Sequence, residues 1–274
     1  MNNPYVRMAR PLNCILASVS IPIIMVTLYG LESPSPERAL FTILGMLVVS
    51  SFTAAGNTLN DYFDRDGDKI NHPERPIPAG DVTPENALRF ATILFVLSIA
   101  LALFLPWFLP QLIVIVSVVI MISYELKLKG EGLPGNASIS WLTGSLFVFA
   151  GAIYGNIEVP LVLGALAFLA TMGREIAKDI QDIKGDFQRK TFPKRVGIKT
   201  AKIFAAGTII AAVVISPYPY IQGLLSIYYL IIVVIADIIF IYSLLIFKEP
   251  KRTQNFIKLG MVVSLLAFLF GGIL

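Results

Sequence analysis

The stretch ALFTILGMLVVSSFTAAGNTLNDYFDRDGD, which runs from Ala39 to Asp68, decides how the rest of the chain is interpreted. Its first two thirds are predominantly apolar and carry no charged residue, and about 20 such residues are enough for a helix to cross a bilayer. Its last eight residues hold four aspartates, whose carboxylates repel one another at this spacing. The stretch therefore predicts a membrane-spanning helix followed by a charged segment that needs a cationic partner.

The composition of the whole chain also indicates a membrane protein. Of its 274 residues, 56% are hydrophobic and 15% are charged, whereas about 25% of the residues in a soluble domain are charged. The net charge of +4 fits basic loops at a membrane surface and gives no reason to expect nucleic-acid binding. Cys14 is the only cysteine, which excludes an internal disulfide and a cysteine-based metal site.

Apolar segments of suitable length recur along the chain. They predict an all-α membrane protein with nine transmembrane helices in one domain that covers residues 1–274. The predicted spans lie at about 12–30, 39–60, 86–105, 108–124, 136–154, 158–178, 200–217, 222–246 and 255–274. Gly67, which follows the second span, predicts that its helix loosens or ends near Asp68.

The basic residues predict the orientation of these helices. With a cytoplasmic N-terminus, every Lys and Arg except Arg38 lies in or near a segment on the inner side. These segments are 1–11, 61–85, 125–135, 179–199 and 247–254. The positive-inside rule therefore predicts a multi-pass protein of the cell membrane, with the N-terminus and the charged loops cytoplasmic and the C-terminus outside.

Two carboxylate clusters share a helical spacing. In the first cluster, Asn60, Asp64 and Asp68 recur every four residues, so they lie on one face of a helix. Asn57 and Asp61 flank that face. The second cluster lies in REIAKDIQDIKGD, and its acids are separated by four, three and four residues: Glu175, Asp179, Asp182 and Asp186. Both clusters follow predicted spans at the ends that face the cytoplasm.

A bound divalent cation explains why such clusters are tolerated. The C-terminal end of a helix is partly negative, so carboxylates there are disfavoured by about 0.3–1 kcal/mol each. Ligands that offer only oxygen indicate Mg²⁺ rather than Zn²⁺. Two such clusters facing each other would hold two or more Mg²⁺ ions with a diphosphate between them. For either cluster taken alone, a solvated loop is the simpler alternative.

The motifs within the clusters point to a known family. NDYFDRDGD matches the pattern NDxxDxxxD, and DIQDIKGD matches DxxDxxxD. With the predicted spans and the loops ERPIPAG, YELKLKGEGLPGN and RKTFPKRVG, they resemble the UbiA superfamily of intramembrane prenyltransferases over essentially the whole chain. The resemblance implies a helical bundle around a central cavity, where an isoprenyl diphosphate binds through Mg²⁺. Loss of its diphosphate gives an allylic carbocation, which a lipid acceptor captures.

The resemblance also implies a substrate pair. RPLN at Arg10 to Asn13 and the compact loops are similar to the archaeal members that form the second ether bond of membrane lipids. Those members transfer a geranylgeranyl group from geranylgeranyl diphosphate to the free hydroxyl of geranylgeranylglyceryl phosphate. An aromatic quinone precursor or a porphyrin is an alternative acceptor, because the metal motifs do not distinguish acceptors. A divalent-cation transporter is the alternative from another class, although transport sites lie near the bilayer midplane.

Individual residues receive roles from the resemblance. As metal ligands we expect Asn60, Asp64, Asp68, Asp182 and Asp186, with Asn57, Asp61 and Asp179 in support. As diphosphate contacts we expect Arg75, Lys127 and Lys129, and as acceptor contacts Arg10 and Asn13. Tyr62 and Tyr124 are candidates to face the carbocation, because a cation–π contact contributes about 0.5–2 kcal/mol. No obligate protein partner is expected.

Overall fold

The computed structural model describes residues 3–31, 33–183 and 190–273, and every regular element in these ranges is helical. The helices are α1 (Pro4–Ala9), α2 (Pro11–Ser18), α3 (Ser20–Tyr29), α4 (Pro36–Asn71), α5 (Pro84–Ala102), α6 (Phe108–Leu126), α7 (Leu133–Ala152), α8 (Glu158–Asp182), α9 (Phe192–Val196), α10 (Ile198–Ile215), α11 (Tyr218–Ile221), α12 (Ile227–Leu245) and α13 (Pro250–Ile273). A 3₁₀ turn at Leu128–Gly130 lies between α6 and α7. The all-α prediction is confirmed for the described residues.

Eight segments of the described chain are long and apolar enough to cross a membrane. They are Pro11–Tyr29, Pro36–Asn71, Pro84–Ala102, Phe108–Leu126, Glu158–Asp182, Ile198–Ile221, Ile227–Leu245 and Pro250–Ile273. Each coincides with one of the nine predicted spans. The remaining predicted span, 136–154, falls on α7, a helix of 20 residues in which Asn136 and several Ser and Gly residues dilute the apolar ones. The multi-pass architecture is therefore confirmed, whereas the count of nine spans is not.

Polar caps and prolines determine where several helices begin. Asn3 accepts a hydrogen bond from the backbone N–H of Tyr5 at the start of α1, and Ser35 accepts one from the N–H of Arg38 at the start of α4. A proline occupies the first turn of both helices, where its missing N–H is not needed. The caps satisfy N–H groups that have no partner within the helix, so these helix starts are encoded locally.

Helix α4 is longer than the sequence predicts. It runs unbroken for 36 residues, which is about 54 Å at 1.5 Å per residue, whereas the hydrocarbon core of a bilayer is about 30 Å thick. The prediction that Gly67 loosens or ends the helix near Asp68 is wrong, because the helix continues to Asn71. A Cβ at Gly67 would meet nothing within 4 Å. The helix passes through this position and continues to a C-cap at His72. The first carboxylate cluster therefore lies entirely on regular helix.

One compact unit contains Met1–Pro22, Pro34–Leu126 and Ala152–Gly155. Its core joins α4, α5 and α6 through Ala55, Leu59, Ala91, Phe95 and Val118. The hydroxyl of Ser98 on α5 donates a buried hydrogen bond of 3.1 Å to the carbonyl oxygen of Val48 on α4. A smaller cluster packs Met8 of α1 against Ile77 and Val82 in the loop after α4. This cluster holds α1 and the loop beside the C-terminal end of α4.

The other compact unit contains Ile23–Ser33, Lys127–Gly151 and Asn156–Leu274. Buried residues of α8, α10, α12 and α13 form its core, among them Ile176, Ile209, Phe240 and Ile257. Helices α7 and α8 touch at Gly144 and Gly164. A Cβ on either glycine would lie 2.7 Å from the carbonyl oxygen of the other, so glycine is required for this approach. The packing fixes α8, whose C-terminal end carries the second carboxylate cluster.

Candidate functional site

The first cluster lies on the C-terminal turns of α4, and its aspartates differ in burial. Asp61 and Asp68 are buried, with 3% and 6% of their surfaces exposed, and Asp64 is half-buried. Asp66, in contrast, has a side chain that is 75% exposed and that pairs with Lys69. Three of the four aspartates are therefore at least partly enclosed by the protein, as residues of a binding site would be.

Two arginines from outside α4 contact the buried carboxylates. The guanidinium of Arg10 donates a hydrogen bond to Oδ1 of Asp61. Nη1 of Arg75 lies 2.6 Å from Oδ2 of Asp68 and 3.5 Å from Oδ1 of Asp61. The chain turns back after α4, because the N–H of Arg75 bonds to the carbonyl of His72. The sequence predicts roles for both arginines but does not predict these ion pairs, which place positive charge beside both buried carboxylates.

The link between α1 and α2 is anchored at the same place. Arg10 forms this link with φ 52° and ψ 71°, a left-handed conformation that costs energy for a residue with a Cβ. Nδ2 of Asn57 donates a 2.9 Å hydrogen bond to the carbonyl oxygen of Ala9. Asn57, predicted as a supporting metal ligand, thus holds the backbone that carries Arg10. Asn13, the other predicted acceptor contact, is exposed on α2.

A buried glutamate that was not predicted from the sequence also contacts the first cluster. Glu125, near the C-terminal end of α6, is 6% exposed, and its Oε1 accepts a 2.9 Å hydrogen bond from Nδ2 of Asn60. A signal for it is present in YELKLK, where an acid directly follows an apolar span. In the same stretch, Tyr124 and Lys129 are half-buried and Lys127 is exposed.

The second cluster lies at the C-terminal end of α8 and is more open. Asp179 is half-buried and accepts a 3.0 Å hydrogen bond from Nδ2 of Asn136 on α7. Asp182, the last residue of α8, is exposed. Asp186 is outside the described residues. Of the three described carboxylates of this cluster, Asp179 is therefore held by a neighbouring helix, Asp182 is exposed, and Glu175 is buried.

Glu175 shares the spacing of the second cluster but has a different environment. It is buried, with 8% of its surface exposed. Its carboxylate lies 2.6 Å from Nη2 of Arg174 and 3.5 Å from Nζ of Lys178. Both partners belong to α8 itself; Lys178 is three residues after Glu175, a spacing that places the two side chains on one face of the helix, whereas Arg174 is the preceding residue. Glu175 thus forms an ion-pair network one turn before Asp179.

Tyr62 places an aromatic ring beside the first cluster. The guanidinium carbon of Arg65 lies 4.6 Å from the centroid of this ring, and the ring of Phe63 meets it edge-on with the centroids 5.2 Å apart. An aromatic face attracts cations through its quadrupole. In this structure the cation over Tyr62 is an arginine of the same helix.

The donor set at the two helix ends fits Mg²⁺. In residues 3–31, 33–183 and 190–273, no three His, Cys, Asp or Glu side chains form a group that could hold a metal ion. Mg²⁺ does not need such a group, because it keeps several waters and binds through one or two carboxylates and substrate phosphates. Asp64, the amide oxygen of Asn60, and Asp182 are donors of this kind.

Comparison with known proteins shows close relatives. The UbiA prenyltransferase family matches residues 19–269 of the chain. The digeranylgeranylglyceryl phosphate synthase of Methanosphaera stadtmanae is 37% identical over 281 residues, which cover 99% of this chain and 100% of the relative. The synthase of the same name from Methanococcoides burtonii is 39% identical over 278 residues, which cover 97% of this chain and 99% of the relative.

Solved structures share the fold. A structure of digeranylgeranylglyceryl phosphate synthase in membranes is 35% identical and superimposes with a TM-score of 0.87, covering 98% of both chains. A UbiA homologue from Archaeoglobus fulgidus, bound to GPP and Mg²⁺, is 20% identical with a TM-score of 0.71. That comparison covers 95% of this chain and 99% of the other. The similarity extends along nearly the whole chain in both sequence and fold.

Proposed function

The chain belongs to the UbiA prenyltransferase family, and we propose that it transfers a geranylgeranyl group from geranylgeranyl diphosphate to the free hydroxyl of geranylgeranylglyceryl phosphate. The product carries the second ether bond of an archaeal membrane lipid. One observation carries this proposal: the similarity, at 35–39% identity over nearly the full length, to proteins named digeranylgeranylglyceryl phosphate synthase. The metal motifs support the reaction type, and the relatives support the acceptor.

The enzyme is an integral multi-pass membrane protein with eight helical segments suited to span the bilayer among its described residues. We propose that α7 is a ninth span within one prenyltransferase domain. In this topology the N-terminus and the charged ends of α4 and α8 are cytoplasmic, and the C-terminus is outside. The distribution of Lys and Arg along the chain supports this orientation.

Each carboxylate cluster holds Mg²⁺ in the proposed enzyme, with two or more ions in total. The residues that hold it are Asn60, Asp64 and Asp68 on α4, together with Asp182 and Asp186 of the second cluster. Mg²⁺ supplies Lewis-acid stabilisation of the charge that develops on the leaving diphosphate. The oxygen-only donor chemistry of both clusters supports this choice of metal.

Neighbouring residues support the ligands in the proposed site. Asp61 holds Arg10 and Arg75, Asn57 holds the α1–α2 link through Ala9, and Asp179 is itself held by Asn136. Residues whose positions are fixed by such contacts need little reorganisation when substrate binds, which is the condition for strong electrostatic stabilisation. These contacts therefore favour support over direct ligation for Asp61, Asn57 and Asp179.

Basic side chains bind the diphosphate of the donor in this proposal. Arg75, Lys127 and Lys129 supply positive charge to its oxygens, and the ion pairs of Arg75 keep its guanidinium beside the first cluster. During transfer, the bond between C1 of the donor and the diphosphate oxygen breaks, and its electron pair leaves on the diphosphate. Tyr62 and Tyr124 offer aromatic faces to the resulting allylic cation.

The acceptor completes the reaction. Its hydroxyl oxygen forms the new bond to C1, and the hydroxyl proton passes to a diphosphate oxygen or to a carboxylate. Arg10 and Asn13 bind the phosphate of this lipid in the proposed arrangement. The position of Arg10, between two helices and paired with Asp61, supports a role for it in orienting a charged ligand near the first cluster.

A panel of acceptors, each offered separately, tests the proposal. The purified protein in lipid nanodiscs is given Mg²⁺, radiolabelled geranylgeranyl diphosphate and one acceptor at a time: geranylgeranylglyceryl phosphate, an aromatic quinone precursor or a porphyrin. We expect label to move to geranylgeranylglyceryl phosphate alone. Transfer to either ring compound in its place contradicts the acceptor assignment. Uptake of divalent cations into sealed vesicles without any prenylated product contradicts the enzyme assignment and favours a transporter.

A further inference from the structure

We propose that Glu125 is a positioning residue, which turns the amide of Asn60 so that its oxygen faces the metal of the first cluster. This inference rests on the proposed function, because it takes Asn60 as a ligand of Mg²⁺. It starts from one contact, the 2.9 Å hydrogen bond from Nδ2 of Asn60 to Oε1 of Glu125.

The chemistry of the two side chains fixes the direction of this bond. An amide side chain has a donating nitrogen and an accepting oxygen, whereas a carboxylate only accepts. Glu125 therefore accepts a hydrogen bond from the amide nitrogen of Asn60. The amide oxygen of Asn60 then points away from Glu125. An amide without such a partner can rotate by 180° and present its nitrogen, whose hydrogens repel a cation. Glu125 removes this second orientation.

The buried location of Glu125 strengthens its contact with Asn60. Glu125 is 6% exposed at the end of α6, and Asn60 is half-buried on α4, so the bond joins two helices at a partly buried position. Electrostatic interactions are stronger in such an environment than in water. The contact also gives a reason for an amide at position 60 beside so many aspartates. A carboxylate there would face Glu125 without a hydrogen to share.

The expected effect follows from the behaviour of other metal sites. Partners that orient a ligand through a hydrogen bond change metal affinity by about 10–100-fold when they are removed. Glu125→Leu removes the acceptor at nearly constant volume, and Glu125→Gln keeps an oxygen that accepts from Asn60. We therefore expect Glu125→Leu to weaken metal binding at least tenfold and Glu125→Gln to remain within about threefold of the parent.

Metal binding is measured directly rather than through turnover. Mn²⁺ replaces Mg²⁺ as the probe, and the electron paramagnetic resonance signal of free Mn²⁺ is followed while the purified protein in detergent is titrated. Ser98→Ala is the matched control, because it removes another buried bond between α4 and a neighbouring helix but leaves Asn60 untouched. We expect Mn²⁺ affinity in this control to equal that of the parent.

Exchanging the two side chains gives a second test. Asn60→Asp alone places two carboxylates against each other, so we expect it to lose Mn²⁺ affinity. Adding Glu125→Gln restores the hydrogen bond in the opposite direction, because the amide nitrogen at position 125 now donates to the carboxylate at position 60. The second oxygen of that carboxylate then points away from residue 125. The double variant is therefore expected to recover at least tenfold of the affinity lost by Asn60→Asp.

The outcomes separate this inference from the proposed function. If the parent binds Mn²⁺ and Glu125→Leu binds it within threefold of the parent, Glu125 does not position the ligand. The same conclusion follows if Glu125→Gln is as weak as Glu125→Leu, or if the double variant shows no recovery. Failure of the parent to form prenylated lipid, with these affinity differences intact, overturns the proposed function and leaves the positioning role standing.

Discussion

The two carboxylate clusters have similar spacing in the sequence but different surroundings in the structure. At the end of α4, buried Asp61 and Asp68 pair with arginines that come from outside the helix. At the end of α8, Glu175 pairs with Arg174 and Lys178 of its own helix. The ion pairs of Asp61 and Asp68 thus join α4 to other parts of the chain, whereas the ion pairs of Glu175 are made within α8.

In the proposed enzyme, this difference bears on how much each cluster must rearrange when a charged ligand binds. The aspartates of α4 already have cationic neighbours in fixed positions, so little rearrangement is needed to present a mixed surface of carboxylates and guanidinium groups to a diphosphate and its metal. Asp182 on α8 is exposed, and side chains in such positions are more strongly hydrated and screened. Substitutions at the two helix ends can therefore test whether tertiary organisation matters to function or only to stability.

The largest effect is expected when the proposed metal ligands are removed from either cluster. Asp64→Ala and Asp182→Ala should each lower kcat about a thousandfold or more, because charge stabilisation of the leaving diphosphate is lost. Asp66→Ala, in the same stretch but exposed, should retain nearly full turnover. Product formation from radiolabelled geranylgeranyl diphosphate measures all three variants. Full activity in both Asp64→Ala and Asp182→Ala would contradict the metal assignment.

A smaller effect is expected on stability, and it should be unequal between the clusters. Arg75→Ala leaves two buried carboxylates without this partner and should cost about 3 kcal/mol of folding free energy. Lys178→Ala removes a 3.5 Å pair whose lysine is 50% exposed, and should cost less than about 1 kcal/mol. Thermal denaturation in detergent with EDTA gives the comparison. Equal losses in melting temperature would show that tertiary organisation does not distinguish the clusters.

A third substitution probes the amide that holds the second cluster. Asn136→Ala removes the hydrogen bond to Asp179 and should destabilise the protein by about 1.5 kcal/mol, the lower end of the range for bonds to charged groups. Ser138→Ala, on the same helix, removes only a bond to the backbone of α7 and serves as the control. The melting temperatures of the two variants are compared with that of the parent. A larger loss in the control than in Asn136→Ala would sink this expectation.

The smallest effect concerns the helix beneath the first cluster. Gly67→Ala should stabilise the protein by about 0.5–1 kcal/mol, because alanine loses less backbone freedom than glycine in a helix. Space is available, since a Cβ there meets nothing within 4 Å. Gly164→Ala is the contrasting variant, because its Cβ would lie 2.7 Å from a backbone oxygen. A fall in melting temperature for Gly67→Ala would indicate that the end of α4 is not regular helix.

Local patterns in the sequence predict the features that depend on neighbouring residues. Apolar runs give eight of the spans, and the four-residue spacing of Asn60, Asp64 and Asp68 gives their shared helix. The segment of α7 has a weaker apolar character than these eight, because its hydroxyl and amide groups dilute the apolar residues. Gly67 misleads, since the propensity of one glycine is small compared with the continuity of a long helix.

Contacts between distant residues are the part that the sequence does not reveal. Arg10 and Asp61 are 51 residues apart, and Asn60 and Glu125 are 65 residues apart. No periodicity links such pairs, because their proximity depends on how α1, α4 and α6 pack. The sequence therefore suggests candidate ligands, which stay a prediction, whereas the residues that contact them can be identified only from the structure.

Because α4 is one continuous helix, its orientation in the bilayer determines the position of the first carboxylate cluster at its C-terminal end. A helix that continues without interruption past the hydrocarbon carries any tilt that its packing allows along its whole length. Tilting raises or lowers its far end, where Asp64 and Asp68 lie, relative to the headgroups. If the proposed function holds, the thickness of the host membrane therefore influences the depth at which the isoprenyl diphosphate meets these carboxylates.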